Sequence, residues 1–272
     1  MAQESRGGGR RPLMQMAVIA VVASVLGVAL GLVIDWFPSQ ASTQASTIDT
    51  LYDVIIIVSV PIFFLVTGVI GFCVWRFRVR PGEEDEDGPP IHGNTKLEIV
   101  WTTVPAILLV ALCTYAFVAL RDIEEAQADE QRIQVIAQQY DWSFEYPNPM
   151  GGEPIRTEEL YLVKDEPVLF DITSLDVIHS FWVPDFRMKR DAVPGLTTQL
   201  RVTPNRLGTY PIVCAELCGL GHAFMRQNAN VLSRRDFDAW MAEQAEGAGG
   251  AGAPASEDEE EGGEAAAQES DG

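Results

Sequence analysis

Four side chains that bind soft metals crowd into one short stretch, Cys214-Ala-Glu-Leu-Cys218-Gly-Leu-Gly-His222-Ala-Phe-Met225. Two thiolates, an imidazole and a thioether make a poor zinc set, because methionine is a weak zinc ligand, but a good copper set. Gly219 and Gly221 let the loop fold tightly enough for the ligands to converge. His179, in Val-Ile-His-Ser-Phe-Trp-Val-Pro, stands 35 residues before Cys214. It follows a strand pattern and can bring a second imidazole from a neighbouring strand end.

The number of ligands decides the kind of centre. A mononuclear blue-copper site uses one Cys, two His and a weak axial Met, and here a second Cys is left over. Two thiolates can bridge two coppers, each completed by one His and one weak axial ligand. Met225 serves one, and a backbone carbonyl near Glu216 serves the other. Such a pair shares one electron over two metals, which lowers reorganisation, and it leaves no open position for a substrate. It suits an electron relay. A C-x3-C pair alone in an oxidising compartment would read as a disulfide; the His and Met on the same loop, with His179, favour metal.

The elements that must position this loop begin in a membrane. Three apolar runs are long enough to cross one: Met16 to Ile34, Val54 to Trp75 and Ile99 to Leu120. The latter two, at about 1.5 Å per residue, reach roughly 33 Å, enough for the hydrocarbon core. Pro61 and Pro105 inside them are tolerated in membrane helices. Basic residues set the direction. Arg76, Arg78 and Arg80 hold the 76–96 loop in the cytoplasm, so the third run leads outward and everything after Arg121 is extracytoplasmic. The first run, behind Arg6, Arg10 and Arg11, reads equally as a cleaved signal peptide or a retained helix. Ala41-Ser42-Thr43 and Ala45-Ser46-Thr47 offer small residues for processing.

Beyond Arg121 the pattern is β. Ile133, Val135 and Ala137 alternate with polar neighbours, as do Val168, Phe170 and Ile172, then Thr198, Leu200 and Val202. Gly208 to Val213 reads as a short strand buried on both faces, and Ala229 to Leu232 as another strand. Pro147-Asn-Pro149, Gly151-Gly152, Pro194-Gly195 and Pro204-Asn205 mark turns. This spacing predicts a sandwich or Greek-key barrel. A last helix over Arg234 to Gln244, capped by Ser233, buries Phe237, Trp240 and Met241.

The charge of −20 excludes most nucleic-acid binding, which needs clustered Lys and Arg. Nine acidic groups and no basic one fall in residues 244–272, leaving about −11 for the rest. That tail reads as a disordered, solubilising segment. The predicted domains are therefore 1–47, an N-terminal signal or anchor; 48–121, a transmembrane hairpin; 122–243, the metal-binding β domain; and 244–272, the tail.

These motifs resemble the cytochrome c oxidase subunit II family over roughly Leu51 to Met241. The blocks that carry the likeness are Ser174-Leu-Asp-Val-Ile-His179-Ser-Phe-Trp-Val-Pro, Met188-Lys-Arg-Asp-Ala-Val-Pro-Gly195 and Cys214 to Met225, in the family's order. The resemblance implies a membrane-anchored all-β protein, in which two transmembrane helices carry an extracytoplasmic cupredoxin-like domain in a prokaryotic plasma membrane. It implies a dinuclear copper A centre on His179, Cys214, Cys218, His222 and Met225, with Glu216 through its backbone carbonyl. It places a magnesium ion on the Glu216 carboxylate at the boundary with subunit I. Glu98, in Thr-Lys-Leu-Glu-Ile-Val-Trp, matches a position at the mouth of a proton-uptake path. Glu145, Asp176 and Asp191 match acids that steer a basic cytochrome c. The family's electron-receiving Trp is replaced here by Tyr140, while Trp142 matches a second aromatic that serves either as core or as an alternative receiver.

The implied activity is electron transfer from cytochrome c, or a similar donor, to the haem of subunit I, where oxygen is reduced and protons are pumped. Subunit III and the lipid membrane are the other implied partners. The alternative is a membrane-anchored copper chaperone. Those proteins also use C-x3-C with a distant His, but carry the His downstream and have one anchor; His179 lies upstream. A quinol-oxidase subunit of the same fold would lack the copper ligands. His92 reads as a surface residue and there is no C-x-x-C-H haem motif, so the donor is a separate molecule.

Overall fold

The computed structural model describes residues 10–79, 81–82 and 92–250. Three long helices come first: α1 (Arg10–Val33), α2 (Thr43–Phe77) and α3 (Thr95–Ile123). All three are long and apolar enough to cross a membrane. Their apolar side chains, Phe63, Leu65, Val69, Ile107 and Leu109 among them, point outward with no core to enter. That arrangement is stable only in lipid or against other apolar helices. Pro61 and Pro105 sit inside α2 and α3 without ending them.

α2 begins well before its apolar run. The Ser42 hydroxyl accepts the Ala45 N–H at 3.2 Å and caps the helix. The predicted boundary at residue 47 therefore falls inside α2. At about 1.5 Å per residue α2 measures roughly 52 Å, so its first turns stand clear of the hydrocarbon. There Gln44 and Ala45 are buried, and Gln44 Oε1 accepts the Thr203 N–H at 3.1 Å. These contacts seat the β region on the helix.

Among the described residues after α3, ten strands form two five-stranded sheets. The first holds β1 (Gln131–Gln138), β2 (Asp141–Tyr146), β3 (Ile155–Thr157), β5 (Val168–Ser174) and β8 (Thr198–Val202), in the order β3-β2-β1-β5-β8. The second holds β4 (Leu160–Val163), β6 (His179–Val183), β7 (Met188–Ala192), β9 (Gly208–Cys214) and β10 (Arg226–Leu232), in the order β4-β10-β9-β6-β7. Pairing is antiparallel except for β1 with β5 and β10 with β4. The expected inward residues Ile133, Val135, Ala137, Val168, Phe170 and Ile172 are all buried. β9 departs from its reading as a two-sided buried strand. Tyr210, Ile212 and Cys214 face in, while Thr209 and Pro211 face solvent, because one side of its sheet has no cover.

Phe181 of the second sheet inserts among three rings of the first. Its centroid lies 5.6 Å from Trp142, 6.3 Å from Phe144 and 5.4 Å from Phe170. Edge-to-face contacts of this kind add to the burial energy. Phe181→Ala is expected to cost about 3–5 kcal/mol, read as a lower unfolding midpoint of the β region in the purified complex.

The far end is closed by α4 (Arg234–Gly250). Ser233 caps it, its hydroxyl accepting the Asp236 N–H at 3.3 Å. Phe237 is buried, and Trp240 stacks on Tyr161 with centroids 4.2 Å apart. α4 continues past the predicted end at Gln244. Residues 251–272, most of the predicted tail, lie outside the described residues, as do Arg80 and residues 83–91 of the predicted 76–96 loop.

Candidate metal centre

The predicted ligands gather at one end of the second sheet. β9 ends at Cys214 and β10 begins just after Met225, so the loop between them joins antiparallel neighbours and must fold back on itself. The Cys214 N–H donates to the Met225 carbonyl at 3.2 Å and closes its base. β6 lies on the other side of β9, with Phe181 paired to Cys214. This brings His179, at the start of β6, beside the loop. The ligand atoms of His179, Cys214 and Cys218 all lie within 4.8 Å of one another.

The donor atoms form a connected set. The two Sγ atoms are 3.9 Å apart, about twice a disulfide bond length, and both thiols are free. His179 Nδ1 lies 3.1 Å from Met225 Sδ and 3.9 Å from Cys214 Sγ. Cys218 Sγ lies 3.8 Å from Met225 Sδ and 3.7 Å from His222 Nδ1. The Cys214 thiol donates to the Glu216 carbonyl at 3.2 Å. His179 and Met225 are fully buried, the two Cys nearly so, and His222 stands half-exposed at the rim. Burial, then the neighbouring Cys214, pushes the Cys218 thiol up to about 11. Without a cation Cys218 stays protonated.

Asp176 fixes the orientation of His179. Its Oδ1 lies 2.8 Å from His179 Nε2. A carboxylate only accepts, so the proton sits on Nε2 and the Nδ1 lone pair faces the sulfurs. Burial opposes the Asp176 charge, but hydrogen bonds from His179 and from the N–H groups of Gln139 and Val177 overcome it and hold the carboxyl down at about 2. The carboxylate predicted to face a donor is thus turned inward onto a candidate ligand. Sequence reading missed this link, and it missed Gln139. The Gln139 amide donates to the Cys218 carbonyl at 2.6 Å, while its N–H donates to Asp176 Oδ2 at 2.7 Å. One residue ties the loop to the carboxylate.

Tyr140 lies across the glycines of the loop. A Cβ on Gly221 would meet the Tyr140 ring at 2.5 Å, and one on Gly219 would meet its hydroxyl at 2.6 Å. Gly219 also has φ +130°, a conformation other residues resist. Gly221→Ala is expected to push the loop off Tyr140 and reduce bound metal per chain. Adding Tyr140→Ala should restore much of it, as metal analysis of the single and double variants would show.

The other predicted residues are dispersed. Tyr140 keeps 40% of its surface, whereas Trp142 keeps none and sits 6.1 Å, edge-on, from the His179 ring. Trp142 is a core residue with no face for a partner. Glu145 is half-buried, 3.9 Å from Arg156. Asp191 is exposed on β7 and Glu216 is exposed on the loop. Glu98 accepts the Asn94 N–H at 3.3 Å and helps Asn94 cap α3. Leu217, Leu220 and Phe224 project from the metal loop into solvent, an apolar rim around the buried donors.

Comparison with known proteins gives the same answer over both regions. Residues 16–119 match the family described as cytochrome c oxidase subunit II, transmembrane domain. Residues 155–231 match cytochrome c oxidase subunit II, periplasmic domain. The chain is 30% identical to cytochrome c oxidase subunit 2 of Synechocystis sp., covering 83% of each chain. It is 33% identical to that of Thermostichus vulcanus, covering 75% of this chain and 76% of the relative. The periplasmic domain of subunit II from Bradyrhizobium japonicum is 26% identical, with a TM-score of 0.41 over 45% of this chain and 97% of that one.

Proposed function

Because the chain belongs to the cytochrome c oxidase subunit II family, we propose that it receives electrons from a cytochrome c, or a similar redox donor, and passes them to the haem of subunit I, where oxygen is reduced to water with proton pumping. It is a subunit of that oxidase and a membrane protein with a periplasmic domain. The observation that carries the reading is the connected set of soft donors, two thiols flanked by a histidine on each side.

These residues fit a dinuclear copper A centre. Cys214 and Cys218 would hold it through their thiolates, His179 and His222 through Nδ1, Met225 through its sulfur and Glu216 through its backbone carbonyl. When bound, copper A supplies a one-electron store of low reorganisation energy. The fit rests on the buried Met225 sulfur, a poor zinc donor, and on the aimed His179 Nδ1. A chaperone must release its metal, and two fully buried donors work against release.

The chain's own groups do the rest. Asp176 holds His179 in the tautomer that binds, and Gln139 holds the loop against it. Tyr140, the exposed ring over that loop, is the electron-receiving contact. Glu145 and Asp191 steer a basic donor, which raises the rate of encounter more than affinity; Asp176 adds its charge to the same field. The Glu216 carboxylate faces outward and would hold magnesium against subunit I. Glu98, near the cytoplasmic surface, would gather protons. The β region is a cupredoxin-like sandwich, held outside a prokaryotic plasma membrane by the basic residues between α2 and α3, with subunit III as a further partner.

Metal analysis of the purified complex tests the reading. Two coppers attributable to this subunit, with a mixed-valence electron paramagnetic resonance signal, are expected. One copper or none refutes the dinuclear centre.

A further inference from the structure

The first apolar helix is built into the rest of the protein. α1 packs along α2 so closely that a Cβ on Gly27 would meet Val60 at 2.8 Å and Phe64 at 2.9 Å, and one on Gly31 would meet Ile56 at 2.8 Å. Glycines four apart on one helix face allow this approach in membranes.

The segment after α1 is tied down at almost every residue. The Trp36 indole donates to the Gly31 carbonyl at 2.7 Å, and Phe37 packs edge-on against Tyr52 at 4.9 Å. Arg187, in the turn after β6, has a side chain only 5% exposed. It pairs with Asp49 at 2.8 Å, donates to the Pro38 carbonyl at 2.6 Å, and lies 4.9 Å from the Phe37 ring. Gln40 donates to Asp49 at 2.7 Å. Ala41 is fully buried in the β core; its N–H donates to the Asp185 carbonyl at 3.0 Å and its carbonyl accepts the Asn205 N–H at 3.1 Å. The Ser42 hydroxyl donates to the Phe186 carbonyl at 3.1 Å.

Both predicted processing windows thus lie inside the folded structure, one in the β core and the other in the first turns of α2. We propose that α1 is retained in the mature subunit as a third membrane span, and that residues 34–42 form a strap holding the metal-bearing β region to the helices through Arg187. Loss of α1 and the strap would strip Arg187 of the Pro38 carbonyl and the Phe37 ring and open the core at Ala41. Three spans also put the start of α1 on the cytoplasmic side, where the basic residues of the sequence ahead of the apolar run belong by the positive-inside rule. None of this depends on the identity of the metal.

The test is the intact mass and N-terminal sequence of this subunit in the complex purified from membranes. An N-terminus ahead of α1, and a mass that includes α1 and the strap, are expected. A mature N-terminus anywhere in residues 34–47 overturns the proposal. Gly31→Leu supplies a second readout, since the new side chain collides with Ile56. Assembled subunit should fall severalfold, while Val22→Leu, at an exposed position on α1, leaves it unchanged. Equal accumulation of the two variants counts against α1 as a packed span.

Discussion

Cys214→Ser is expected to lower oxygen reduction with cytochrome c by more than about 100-fold, beyond the cost of losing a group that only supports a metal ligand. A serine hydroxyl stays protonated at neutral pH and is a hard donor, so it cannot replace a thiolate of the proposed two-copper centre. Cys218 would remain, 3.7 Å from His222 Nδ1, and one thiolate with two imidazoles can hold a single copper. Bound copper should therefore fall from two to one or none, and the mixed-valence signal should vanish. The fold should survive, because Ser is close to Cys in size and Cys214 is the last residue of β9. A small reductant that reaches the haem of subunit I directly should still support oxygen uptake, which separates a broken relay from a failed assembly. An unchanged copper count would falsify the bridging role of Cys214.

The metal loop was legible because its ligands are local. The chain from Cys214 to Met225 carries its own chemistry, and His179 could be added by type alone. The alternation of Ile133, Val135 and Ala137 marked β1 in the same way, since a period of two survives without knowledge of partners. Contacts made across the chain were not legible. Asp176 read as a surface acid, and only the turn from Ser174 to Val177 shows that its carboxylate points at a histidine three residues on. In that turn the Ser174 hydroxyl donates to the Val177 carbonyl at 2.5 Å. Arg187 and Asp49 are 138 residues apart, and no pattern joins them. Ala45-Ser46-Thr47, in the first turns of α2, read as a window for processing because nothing in its composition shows that Thr203 hydrogen-bonds to Thr43 and Gln44 just before it. Burial of Trp142 follows from which face of β2 meets Phe181, and exposure of Tyr140 from its place in the turn between β1 and β2.

Asp176→Asn separates two roles that one carboxylate can play. If Asp176 orients His179, its loss acts on the metal. Asn keeps the shape and can still accept from Nε2, but it removes the charge that makes the imidazole a stronger donor. Second partners of this kind are worth about 10–100-fold in metal affinity, so copper should be lost faster to a chelator and the mixed-valence spectrum should shift. If Asp176 only steers the donor, neither readout moves. Then the second-order rate with cytochrome c falls at low salt, and the deficit disappears as salt screens the charge. Asp191→Asn sets the comparison, because Asp191 is exposed on β7 and no hydrogen bond or ion pair joins its side chain to the six proposed ligands. It should change the salt dependence alone. Asp176→Asn should change copper retention and the spectrum, with a smaller salt effect added, because 26% of its side chain remains open to solvent. The pair of variants sharing one phenotype would return Asp176 to the docking surface and leave His179 oriented by its packing against Trp142.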